Sequence, residues 1–149
     1  MLIPVYFLIG GFGTGRRQAA AVKFLLYSLF GGLLMLAAII GIFVIAGNQI
    51  GRTFDISELA KLQIDTTTQN FLFLGFFIAF AIKAPLWPFH TWLPDAHVEA
   101  STPISVVLAA VLLKVGGYGI LRICYGLFPE AGVSNAAVVA VLGMVSILY

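Results

Sequence analysis

The residues able to do chemistry gather in one short stretch. Positions 82–97 read IKAPLWPFHTWLPDAH and follow the apolar run NFLFLGFFIAFA. The stretch holds Lys83, Pro85, Pro88, His90, Asp95 and His97, with Glu99 just beyond it. A second lysine, Lys114, stands alone in PISVVLAAVLLKVGGYGIL. Amines and imidazoles carry and exchange protons. Imidazole titrates near neutrality, which suits His90 and His97 to a proton entrance, and a hydrated polar loop is the plainer reading of the same residues. Metal binding fits poorly. The histidines are seven residues apart across Leu93 and Pro94, and neither H-x₃-H nor H-E-x-x-H spacing occurs.

Depth gives the lysines their meaning. Lys83 lies about 20 Å along its apolar run, counted from Asn70. A lysine in hydrocarbon costs at least about 2.5–3.5 kcal/mol and marks an ion or proton route by default. Pro85 and Pro88 remove backbone donors nearby, so a helix running through them would orphan the carbonyls of Ala81 and Ala84. Such carbonyls are tolerated at membrane depth only against protein or water. Lysine and helix break together resemble the discontinuous helices of transporters. The alternative is a lysine snorkelling to the interface while the prolines end its helix.

Lys114 is too deep to snorkel, about 16 Å beyond Pro103 and near the bilayer centre. Its helical neighbours Ala110, Gly117 and Tyr118 leave room for water or another helix, and the tyrosine hydroxyl is a candidate member of a polar path. Unlike arginine, lysine can lose and regain a proton inside a protein. A buried ion pair is the alternative role.

These residues need a membrane to position them. Of 149 residues, 61% are hydrophobic and 9% charged, with a mean hydropathy of +1.07. Soluble domains carry about 25% charged residues, so an all-α transmembrane bundle is expected. A net charge of +2 without a basic cluster gives no sign of a nucleic-acid partner, and none is expected. The single cysteine, Cys124, excludes an internal disulfide and an iron–sulfur cluster.

Apolar runs predict spans over 22–46, 70–87 and 104–127, with shorter ones at 1–13 and 133–149, hence three complete and two truncated helices. Both ends look cut, so a single transmembrane region, internal to a larger subunit, is expected. Positive charge follows the first apolar run instead of preceding it, which argues against a signal peptide. The polar segment 47–69 contains a predicted short helix over 55–62, with Asp55 as N-cap and Glu58 completing a capping box. Arg16, Arg17 and Lys23 place the first connection in the cytoplasm, 47–69 outside, 88–103 inside and Pro129 outside. Lys23 reads as an interfacial anchor, and Trp87 and Trp92 as interfacial aromatics.

The run FAIKAPLWPFHTWLPDAHVEASTPISVVLAAVLLKVGGYGILR resembles the signature region of the antiporter-like membrane subunits of proton-pumping NADH:quinone oxidoreductase, respiratory complex I, most closely the subunit M or subunit 4 type. MLIPVYFLIGGFGTGRRQAAAVKFLLYSLFGGLLML fits as well. The resemblance covers essentially the whole chain but only the fifth to ninth helices of such a subunit. It implies that Lys83 is the lysine of the broken seventh helix and Lys114 the central lysine of the eighth. It places His90 and His97 on or near the proton route. The family's partner for Lys83, a glutamate on the fifth helix, is expected just before Met1. The resemblance also implies no cofactor in this chain, with NADH, FMN, iron–sulfur clusters and quinone held by partner membrane and peripheral subunits. The expected location is a bacterial plasma membrane ahead of a mitochondrial inner membrane or thylakoid. Rival readings are a subunit of a cation/proton antiporter or membrane-bound hydrogenase, and a structural membrane piece whose lysines only hold subunits together.

Overall fold

Backbone in hydrocarbon must satisfy its own hydrogen bonds, and helices do so within one segment. The computed structural model describes residues 2–149, and among them helices and turns occur without strands. Helix α1 covers Leu2–Phe12, α2 Arg17–Gln49, α3 Ile56–Leu59 and α4 Thr66–Lys83. After the break come α5, Trp92–Glu99, and the long α6, Thr102–Leu127. Short α7, Pro129–Ser134, and α8, Ala136–Leu148, complete the chain.

Among the described residues two helices are each, uninterrupted, long and apolar enough to cross a membrane: α2 and α6. Helix α4 has 18 residues, about 27 Å, and stops at Lys83 before the proline segment. Helix α4 is thus the helix expected to be broken by its prolines.

The core lies around α4, which is buried on one broad face and leaves Phe71 and Leu74 exposed on the other. Phe73, Phe76, Phe77 and Phe80 pack between α2 and the second half of α6. A second cluster joins α1, the start of α2, α5 and the start of α6 through Ile9, Phe24, Trp92 and Leu108. Both clusters use α6, and two π turns let it serve both. The turns lie at Leu108–Leu112 and Ile120–Cys124. Each inserts one residue into the helix and delays the buried stripe by one position. Ile104 and Leu108 are buried, but a continuous α-helix would next bury positions 111 and 115. Instead Val111 and Val115 are exposed, while Gly116, Gly119, Cys124 and Leu127 are buried.

Polar connections sort to two ends of the bundle. At one end the Thr14 amide donates to the Glu99 carbonyl at 2.9 Å, joining the first connection to the segment after the break. At the other, the Gln49 amide exchanges hydrogen bonds with the Gln63 backbone. There too the buried Gln69 carboxamide oxygen accepts from the Ala131 amide at 2.8 Å, and Asn135 donates to Asn70 at 3.1 Å. The 11–21 and 88–103 connections thus share one end, and 47–69 and Pro129 the other.

Helix α3 is shorter than expected. Asp55 does cap it, accepting from the Ser57 amide at 2.9 Å. The reciprocal half of the capping box is not made. The Asp55 amide donates to Thr53 Oγ1, and Glu58 instead pairs with Lys61 at 3.3 Å.

Candidate functional site

Helix α4 ends where its donors run out. The Ala84 amide closes the last turn on the Phe80 carbonyl at 2.8 Å, and Pro85 offers no N–H. The carbonyls freed here do not all await water. The Leu86 amide reaches back to the Ala81 carbonyl at 2.9 Å. The Trp92 indole N–H donates to the Ile82 carbonyl at 3.0 Å. Lys83 thus sits half-buried at a stitched break, one residue beyond a carbonyl held by a tryptophan.

The segment after the break is not a plain loop. Leu93 and Pro94, which read as a break, lie in the first turn of α5, where a missing N–H costs no helical hydrogen bond. Asp95, His97 and Glu99 are therefore on a helix, and His90 precedes it in the turns that carry Pro88. Trp92 packs inside the bundle: it is 2% exposed, against Phe24 at a ring separation of 5.5 Å, whereas Trp87 is exposed. The ring of His90 lies edge-on to Tyr149 at 5.2 Å, and its Nδ1 is buried without a hydrogen-bond partner among the described residues. His97 is half-buried, and its carbonyl accepts from Ser105 Oγ at 3.3 Å.

Asp95 has a partner that local sequence could not reveal. It accepts from Lys23 Nζ at 2.8 Å, so Lys23 does more than anchor α2 at an interface. Glu99 turns to the first connection, where its carboxylate lies beside Gly15. Gly15 has a φ of 55°, a backbone conformation that glycine adopts at little cost.

The two membrane lysines are not brought together. Gly116 packs on the helix end: a Cβ there would lie 2.5 Å from the Ala84 nitrogen. Gly119 meets the Phe80 ring in the same way. Lys114 precedes Gly116 by two residues, so it points about 200° away around the helix, from a step of about 100° per residue. It lies with Gly117 and Tyr118 on the exposed face of α6. Among the described residues the ion pairs are Lys23–Asp95 and Lys61–Glu58, and neither Lys83 nor Lys114 enters one.

An all-helical membrane bundle with one helix broken beside an ionisable side chain has the form of a transport subunit. The chain belongs to the family described as NADH:quinone oxidoreductase/Mrp antiporter, TM, whose sequence model matches residues 1–149. It is 50% identical to NADH-quinone oxidoreductase subunit M of Mycobacterium tuberculosis over 156 residues, covering 100% of this chain and 28% of that protein. To NAD(P)H-quinone oxidoreductase chain 4-2 of Synechocystis it is 46% identical, covering 99% of this chain and 26% of that one. Among solved structures it superimposes on a chain of respiratory complex I from Thermus thermophilus with bound NADH, with a TM-score of 0.88 and 34% identity. That match covers 99% of this chain and 31% of the other. The chain thus spans under a third of the length of these relatives.

Proposed function

We propose that this chain forms the part of a proton-translocating NADH:quinone oxidoreductase membrane subunit that carries protons through Lys83 and Lys114. The observation that supports the reading most is the interrupted helix α4, which ends at Lys83 inside the bundle. Lys83 takes up and gives back a proton at the break. His90, with its unbonded Nδ1, and the half-buried His97 connect it toward the end of the bundle that carries Arg16 and Arg17. Lys114, facing away from α4, passes the proton to whatever covers the outer face of α6, with Tyr118 beside it.

The chain supplies no redox chemistry in this account. NADH, FMN, iron–sulfur clusters and quinone belong to partner membrane and peripheral subunits, and electron transfer there drives the proton movement. The end bearing Arg16, Arg17 and Lys23 faces the cytoplasm of a bacterium, following the bias of basic residues.

The test uses the full-length parent subunit in its assembled complex. NADH-driven proton uptake into inside-out vesicles is measured for Lys83→Met, which keeps length and removes charge. Uptake falls severely while the complex still assembles. Normal uptake by an assembled Lys83→Met complex would overturn the reading.

A further inference from the structure

Two helices meet in register around the break. On α2, Lys23 and Tyr27 stand one turn apart, and Thr91 and Asp95 share the same spacing at the start of α5. Lys23 Nζ donates to Asp95 Oδ2 at 2.8 Å, and the Tyr27 and Thr91 hydroxyls lie 2.6 Å apart. Between the two polar contacts, Phe24 packs against Trp92. Trp92 in turn holds the Ile82 carbonyl, next to Lys83. The same four-residue spacing on both sides puts each partner pair at one helical turn.

The ion pair is weak by itself, because its side chains are 37% and 52% exposed and water screens such pairs. Its effect is geometric. Together with the hydroxyl pair and the buried tryptophan it leaves α5 one register against α2. A slip of α5 would carry the Trp92 indole off the Ile82 carbonyl and release the backbone beside Lys83.

We propose that Lys23 and Asp95 are positioning residues: they clamp α5 to α2 and so fix, through Trp92, the helix end that carries Lys83. The inference rests on the proton-relay reading of Lys83. It requires complementary charges at the two positions, not a particular polarity, and this makes it testable by exchange.

The experiment compares Lys23→Gln, Asp95→Asn and the exchange Lys23→Asp with Asp95→Lys, each in the full-length subunit within its complex. Proton uptake per NADH oxidised is read in vesicles, with assembly followed on native gels and Lys83→Met as the reference. Each single variant loses about threefold or more in uptake, and the exchange recovers most of it. Normal uptake in both single variants overturns the clamp, as does an exchange that recovers nothing. Where a single variant fails to assemble, the exchange still decides: restored assembly supports the pairing, and continued failure overturns it. If Lys83→Met falls while the clamp variants pump normally, only the clamp is wrong. If Lys83→Met itself pumps normally, the relay reading fails and the clamp with it.

Discussion

The Trp92 indole nitrogen donates to the Ile82 carbonyl across ten residues of chain, at 3.0 Å and out of contact with solvent. This bond closes the break in α4. It answers a backbone group whose helical donor, the Leu86 amide, has turned to the Ala81 carbonyl that Pro85 leaves open, in a setting where an unmet carbonyl is costly.

Trp92→Phe keeps the ring against Phe24 and deletes only the donor. An orphaned buried acceptor costs about 1–3 kcal/mol, so the purified full-length subunit should unfold at a lower temperature than wild type. An unchanged thermal transition would show that the bond carries no stability.

Much of this site was legible in the sequence, and the limits have physical causes. The prolines at 85 and 88 announced the end of α4, because a missing N–H is a local property. Pro94 misled for the converse reason: in the first turn of a helix its missing donor costs nothing, so α5 read as loop. The burial of Trp92 depends on Phe24, and the pairing of Asp95 on Lys23, 72 residues away. No local periodicity encodes either contact. The π turns of α6 were also hidden, since their sign is a shifted stripe of burial and the glycines and valines there fit either register.

Packing between α6 and the helix end makes two neighbouring glycines behave differently. Gly116 faces Ala84 with no room for a Cβ, while Gly117 has open space around it. Gly116→Val should cut the yield of assembled complex sharply, and Gly117→Ala should leave it near wild type. Native gels of membranes from the two variants provide the check. Equal assembly would contradict the described face of α6.

The two-ended arrangement of polar connections predicts labelling from opposite sides. Thr14 and Val98 lie at one end of the bundle and Thr67 at the other, all exposed. Cysteines placed at Thr14 and Val98 should react with an impermeant thiol reagent only from the cytoplasmic side, and one at Thr67 only from outside. Labelling of Val98→Cys and Thr67→Cys from one side would contradict the topology.

Lys114 tests the central claim most directly. It stands near the middle of α6, about 18 Å from the first residue of that helix, where a charge without a task would be a pure cost. Lys114→Met removes the charge and keeps the length. Lys114→Arg keeps the charge but cannot release a proton. The measurement is NADH-driven proton uptake by vesicles holding the assembled complex with each variant. A relay predicts that both variants assemble and that both lose most of their proton uptake. An assembled Lys114→Met complex pumping at the wild-type rate would contradict the account and leave Lys114 a structural residue.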